Sequence, residues 1–408
     1  MAAAVWALWH HRSLHPGLVA VPFGDGLPRA GQWRDGFAVA DLDGDGALDL
    51  IHGPARKGQP RPAVFRGDGQ GHWRPWDAAF PGLPYDYGDA AVADLDGDGR
   101  QDVALAVHLR GVVGLFQVAP GRFEARPLGL GPLADNAPFS SRALVAVDWD
   151  QDGKTDLLAL SDGPRLGGGS VSGSMGLRLL SRGSGIWSAS ALTGPARASA
   201  GLFGDALAAG DVDGDGHPDA LCASNTLGLR TVLVHGAGQG GTPVALPSIP
   251  SRAVVKAVAL GDLDGDGHPE LVFTTSRPER GAWVGQLWVV SGKDLTVRGS
   301  TSLAAEAGTA LAVGDFDADG RQDVALGEAD GTVRLWRGDG RGGLTADARM
   351  AAPAWRRGCR AYHLEAVDAD GHPGAELFAG FAGEAEGTEV GQVCPSGGAL
   401  TAWRFERR

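Results

Sequence analysis

The sequence predicts an all-β protein, a seven-bladed β-propeller built of four-stranded antiparallel blades. Three observations carry this. An acidic segment recurs seven times at a near-constant step. Short apolar runs of β type, without helical periodicity, flank each copy. Glycine accounts for 66 of 408 residues, with 24 prolines and no collagen-like period, which marks a chain dense in turns.

The first acidic position of the copies falls at 41, 94, 148, 211, 262 and 315, and a worn seventh copy is read from Ala366. Repeats therefore begin near 37, 90, 144, 207, 258, 311 and 362. A unit of about 40–50 residues is the size of one four-stranded blade. The apolar run before each acidic segment is strand 1 of a blade, and the run after it is strand 2. The rest of each repeat supplies two more strands. In the sixth, Thr332–Arg337 alternates apolar and polar residues, Gly338-Asp339-Gly340 turns the chain, and a weak strand follows around Ala346–Met350. Ala63–Arg66 and Gly67-Asp68-Gly69 hold the same places in the first. The acidic loop then joins strands 1 and 2 and shares a face with the turn between strands 3 and 4. Loops between strands 2 and 3, and those joining blades, fall on the opposite face. The last repeat ends one strand short after Leu400–Phe405. The N-terminal 36 residues, which include Gly17–Pro22, are expected to complete it. A competing reading makes Val5–Trp9 a third strand of a unit otherwise absent.

Six loops read Asp-x-Asp-x-Asp-Gly-x-x-(Asp/Glu). Crowded carboxylates repel, and alternate side chains converge only around a cation. Ca²⁺ takes 6–8 oxygens in a tolerant geometry, whereas Mg²⁺ demands a strict octahedron and keeps its waters. Zn²⁺ is disfavoured, because the loops offer neither cysteine nor a convergent histidine set. Positions 1, 3, 5 and 9 supply carboxylates, position 7 a backbone carbonyl, and Gly at position 6 permits a positive φ. The ligand sets are Asp41, Asp43, Asp45, Ala47 and Asp49; Asp94, Asp96, Asp98, Arg100 and Asp102; and Asp148, Asp150, Asp152, Lys154 and Asp156. The next three are Asp211, Asp213, Asp215, His217 and Asp219; Asp262, Asp264, Asp266, His268 and Glu270; and Asp315, Asp317, Asp319, Arg321 and Asp323. An EF-hand shares the first half of this pattern, but its last acid comes at position 12 and its flanks are helical. In the seventh copy Gly374-Ala375 reads as an insertion, and Asp368, Asp370 and Glu376 form a weak, degenerate site. The complete loops hold 24 of the 49 acids; the 36 basic residues against the remaining 25 would leave +11 in place of −13.

With these loops the chain resembles the FG-GAP/VCBS repeat family, the propeller repeats also found in integrin α-chains. The Ala-Val-(Ala/Gly)-Asp-x-Asp-x-Asp-Gly-x-x-Asp segment and the repeat length carry the likeness over about residues 37–405. The resemblance implies a seven-bladed propeller with Ca²⁺ in each loop between strands 1 and 2. It implies much less about activity, since such propellers serve adhesion, carbohydrate recognition and scaffolding, and some resemble polysaccharide lyases.

The net charge of −13 argues against a nucleic-acid partner. No apolar run reaches the roughly 18 residues of a membrane helix, and the N-terminus has neither the basic start nor the length of a secretory signal. Cys359 and Cys394 are close enough in sequence to pair, which leaves Cys222 a buried thiol. No nucleophile elbow, zincin helix, Walker loop or Rossmann fingerprint is present. His10, His11 and His15 read as a solvated tail. The face opposite the acidic loops is the expected partner surface, with Tyr85, Tyr87, Arg277, Arg280 and Trp283 as candidates, because aromatics stack on sugar rings and Arg pairs with carboxylates. Arg56–Arg61 and a Gly-rich stretch at Arg165–Gly173 lie on the same face, and Gly380–Pro395 reads as a long cap. Arg66-Gly67-Asp68 and Arg337-Gly338-Asp339 match an adhesion tripeptide, although a hairpin turn already explains them. The expected function is a calcium-binding, non-catalytic binding or scaffold module for carbohydrate or protein ligands, at the cell surface or outside the cell. The alternative is a polysaccharide-acting lyase or hydrolase.

Overall fold

The computed structural model describes residues 17–55, 61–134, 137–163, 175–192, 201–351, 359–383, 394 and 398–407. Every regular element among them is a strand, and the strands form seven four-stranded antiparallel sheets. Blade 1 runs Phe37–Ala40, Asp49–His52, Ala63–Gly67 and Trp73–Trp76 from the inside outwards. Blades 2 to 6 repeat this order from inner strands Ala90–Ala93, Ser141–Val147, Leu207–Gly210, Val254–Gly261 and Ala307–Gly314. Blade 7 starts at Cys359–Val367 and continues with Glu376–Gly383 and Ala399–Arg407. Each inner strand touches the inner strand of the next blade, the seventh returning to the first, so the ring is closed.

The N-terminal strand Leu18–Pro22 is the outermost strand of blade 7. It pairs antiparallel with Trp403–Arg407, from Leu18 opposite Arg407 to Pro22 opposite Trp403. Beyond it, the Phe23 N–H donates to the Ala402 carbonyl (2.8 Å) and the Trp73 Nε1–H of blade 1 donates to the Phe23 carbonyl (3.1 Å). The Leu18 N–H donates to Asp347 Oδ1 of blade 6 (3.2 Å). One short segment thus ties three blades together. Val5–Trp9 and His10, His11 and His15 lie outside the described residues.

Second strands are covered on both faces by neighbouring blades, which is why they read as unbroken apolar runs. Asp102–Val107 and Asp156–Ser161 are buried at every position. Outer strands keep one wet face: in Arg122–Arg126 only Phe123 is buried. The core therefore lies in layers between blades, as where Leu158, Leu179, Leu221, Leu233 and Phe273 pack blades 3, 4 and 5 together. Cys359 and Cys394 form a disulfide, and Cys222 is a buried free thiol.

Candidate metal centre

Each acidic loop leaves an inner strand and ends as the first residue of a second strand, so position 9 is carried into the interior. Position 2 anchors the loop. Leu42, Leu95, Trp149, Val212, Leu263 and Phe316 are all buried. Their backbone N–H groups donate to the position-9 carboxylates of Asp49, Asp102, Asp156, Asp219, Glu270 and Asp323 at 2.7–3.1 Å. In blades 1, 2, 4 and 6 the second oxygen of that acid accepts an N–H from the third strand: Gly67, Gln117, Gly236 and Gly338.

Position 1 organises the turn. In all six loops its Oδ2 accepts the N–H of the position-6 glycine, as Asp41 does from Gly46 (3.0 Å) and Asp315 from Gly320 (2.8 Å). Positions 4 and 6 both have positive φ, as at Gly44 (78°) and Gly46 (90°). Gln151 and Ala318 hold the fourth position without glycine, at φ 58° and 56°. The result is a set of carboxylates converging from one loop. The ligand oxygens of Asp41, Asp43 and Asp49 lie within 4.8 Å of one another, as do those of Asp94, Asp96 and Asp102, and those of Asp148, Asp150 and Asp156. Asp96 Oδ1 is buried with no hydrogen-bond donor, an acceptor of the kind a hard cation satisfies.

Burial pushes the position-9 acids up: Asp49, Glu270 and Asp323 to about 7, Asp102 and Asp156 to about 6. Neighbouring carboxylates add to the rise, and the backbone donors oppose it. Basic side chains offset part of the charge at position 3. Arg66 pairs with Asp43 (2.5 Å), Arg126 with Asp96 (2.7 Å), Arg298 with Asp264 (3.4 Å) and Arg337 with Asp317 (3.7 Å). At position 7, Arg100, Lys154 and Arg321 fold back onto Asp98, Asp152 and Asp319.

The seventh loop needs a corrected register. Glu376 lies across from Val367, as Asp49 lies across from Ala40. Glu376 accepts the Ala369 N–H (2.8 Å) and Asp368 accepts the Gly371 N–H (2.7 Å). Asp368, Ala369, Asp370 and Glu376 are therefore positions 1, 2, 3 and 9, nothing is inserted, and Ala366 lies in the inner strand. His372 and Pro373 take the places of Asp and Gly at positions 5 and 6. Proline cannot adopt positive φ, so the turn differs there.

The expected ligand face is partly overturned. Tyr85 and Tyr87 are 7% exposed and offer no open stacking face. The Tyr85 hydroxyl donates to the Pro81 carbonyl (2.9 Å), and Tyr87 packs on His108 beneath Arg34. Arg277–Trp283 is not a loop but the tip of a hairpin whose strands pair out to Glu279 opposite Ala282. Arg280 (φ 49°) and Gly281 (φ 85°) turn it. Arg277 pairs with Glu279 (2.9 Å), and Trp283 is 42% exposed. Of Arg56–Arg61 only Arg61 is described, paired with Asp77 (2.9 Å). Arg165–Gly173 lies outside the described residues. Gly380–Gly383 belongs to the second strand of blade 7, and of the stretch read as a cap only Cys394 is otherwise described. The two Arg-Gly-Asp arginines turn into the acidic loops instead of outward.

Sequence reasoning missed two features. A cleft of about 330 Å³ on the opposite face of blade 1 is lined by Trp33, Phe65, Trp76, Pro62 and Arg61. Where the inner strands begin, Arg142 pairs with Asp205 (2.7 Å), and Arg34 lies over Tyr87 and Tyr362 beside buried Asp35. Asp205 and Tyr362 are distant in sequence from the arginines they meet, and no local motif marks them.

Seven four-stranded blades, six with the same carboxylate loop at the same corner, define a repeat-built β-propeller. The FG-GAP-like repeat model matches residues 55–105, 148–222 and 211–273, and the seven-bladed propeller is consistent with such repeats. In fold it is similar to BBS1N in complex with ARL6DN. The lead-soaked crystal gives 11% identity, a TM-score of 0.53 and coverage of 97% of this chain and 98% of that one. The mercury-soaked crystal gives 11%, 0.54, 95% and 97%. The biofilm matrix protein Bap1 of V. cholerae is also similar, at 13% identity, a TM-score of 0.44 and coverage of 90% and 76%. No curated protein matches the sequence.

Proposed function

We propose that the acidic loops bind Ca²⁺ and that the protein is a non-catalytic binding or scaffold module for a carbohydrate or protein ligand, working at the cell surface or outside the cell. One observation carries the calcium reading. Six loops repeat one hydrogen-bonded frame that holds carboxylates together at positions 1, 3 and 9. Hard oxygen donors in an adaptable loop suit Ca²⁺. The disulfide supports an oxidising compartment. A ligand would meet the opposite face, where the blade 5 hairpin presents Trp283 and the blade 1 cleft, floored by buried Trp33 and Phe65, presents the half-buried Trp76. Flat apolar rings beside Arg61 suit a sugar or a proline-containing segment.

Calcium stoichiometry by isothermal titration calorimetry tests the first part, with about six equivalents expected per chain, one for each complete loop. A glycan array on calcium-loaded protein, followed by a product assay on each hit, tests the second. Binding without turnover supports a module, and turnover would replace it with a polysaccharide-acting enzyme.

A further inference from the structure

We infer that blade 4 carries a metal site of a different kind, in which the His235 imidazole joins Asp213 and Asp219 to hold a borderline divalent cation such as Zn²⁺ or Co²⁺. The inference rests on reading the acidic loops as cation sites. It begins from a comparison between blades. The third-strand residue directly across from position 9 is Arg66 in blade 1, opposite Asp49, and Arg337 in blade 6, opposite Asp323, one step on from the register pairs Leu50–Phe65 and Val324–Trp336. In blade 4 the same place, opposite Asp219, is held by His235. Both arginines reach the position-3 aspartate of their loop. Arginine brings charge and donors but no lone pair, so it neutralises a loop without entering a coordination shell. Histidine in its place brings a nitrogen that can bind metal.

The geometry fits that role. His235 Nδ1 lies 3.0 Å from Asp219 Oδ1 and 3.4 Å from Asp213 Oδ2. One ligand atom from each of the three residues falls within a 4.8 Å set. Donors about 2.1 Å from a common centre, set at octahedral or tetrahedral angles, stand about 3.0–3.4 Å apart. An imidazole with two carboxylates suits Zn²⁺ and its neighbours better than Ca²⁺, which prefers oxygen. His217, two residues from Asp219, keeps a buried Nδ1 with no hydrogen-bond partner. The ring of His268, from the blade 5 loop, lies against Gly214 so closely that a Cβ there would meet it at 2.3 Å. Zinc is disfavoured for the loops by their own residues alone; the third strand supplies the nitrogen they lack.

The test uses the full chain with His10, His11 and His15 replaced by alanine, so that the N-terminal histidines do not compete. Co²⁺ is titrated in millimolar calcium and followed by its visible absorption and by mass-spectrometric metal counting. One cobalt equivalent is expected. His235→Arg, which copies blades 1 and 6, should keep the melting temperature and the count of six in calcium alone, yet lose the cobalt and leave the blade 4 loop to calcium when both ions are present. Loss of an outer-shell partner alone costs about 10–100-fold in affinity, so loss of a ligand should cost at least as much. Asp213→Asn should weaken cobalt in parallel. No cobalt uptake by the parent, or equal uptake by His235→Arg, would overturn the inference and leave His235 a hydrogen-bond donor to Asp219. Uptake that depends on His235 supports it whether or not the other loops take calcium, so the two readings fail separately.

Discussion

If calcium fills the loops as proposed, stripping it should destabilise the fold measurably. For dissociation constants of about 10⁻⁴–10⁻³ M, the range of extracellular modules, about 2 mM calcium stabilises each site by about 0.7–1.8 kcal/mol. The six complete loops together then contribute about 4–11 kcal/mol. With about 2.1 cal/mol/K of unfolding entropy per residue, a 408-residue chain carries about 0.9 kcal/mol/K, so chelation should lower Tm by about 5–12 °C. The pairs that Arg66, Arg126, Arg298 and Arg337 make with position 3 relieve part of the repulsion in the emptied loops. The loss should therefore appear as a shifted transition rather than an unfolded chain. Scanning calorimetry in 2 mM calcium and in excess EGTA, with magnesium as control, measures it. Melting within about 1 °C in all three buffers would refute the claim that cations hold these loops together.

Other predictions are narrower. Replacing Asp94 and Asp96 with Asn should remove one calcium equivalent in titration calorimetry and leave the rest; an unchanged count would remove that loop from the ligand set. Phe23→Ala empties a site that is 3% exposed against Phe378. At about 3–5 kcal/mol for such a truncation, Tm should fall by about 3–6 °C, and an unshifted melt would show the N-terminal clasp to be dispensable. Burial holds Glu365 at about 8, well above the 4.5 of a free glutamate. The folded state thus favours the protonated acid, and its stabilising contribution, whole at low pH, is lost as pH rises through 8. Glu365→Gln should match the wild type near pH 5 and exceed it near pH 9 by a few kcal/mol, at about 1.4 kcal/mol per unit; parallel urea profiles at the two pH values would contradict this. Cys394→Ser opens a disulfide that spans 35 residues and should cost about 4 kcal/mol by loop entropy. Urea denaturation reads that loss, and an unchanged midpoint would deny the bridge a stabilising role.

The ring was legible because position 9 of each loop opens a second strand, so one motif marks a chemical site and a fold boundary together. The register of blade 7 was misread because Asp-Gly-His-Pro occupies positions 5 to 8 in blades 4 and 5 but positions 3 to 6 in blade 7, where Asp370-Gly371-His372-Pro373 imitates them. The pairing of Val367 with Glu376 and the hydrogen bonds from Ala369 to Glu376 and from Gly371 to Asp368 separate the two alignments. Tyr85 and Tyr87 look like surface ligands in a Pro-Tyr-Asp-Tyr-Gly segment, yet the chain folds them inward; composition does not reveal that. His235 was overlooked because its meaning is set by the residue across the sheet. The signal that finds it is a rule of position, one residue before the glycine whose N–H meets the last acid of the loop.

The mixed origin of blade 7 has a consequence for biosynthesis. Blades 1 to 6 are each made from one continuous stretch and can assemble as the ribosome delivers them. The seventh cannot, because Leu18 must wait for Arg407, its partner at the far end of the chain. The entropic toll of joining such distant ends grows only logarithmically, to about 5 kcal/mol. Timing is the harder constraint. During translation the flanks of blades 1 and 6 stay open to solvent and to chaperones until Trp403–Arg407 has emerged and met Leu18–Pro22.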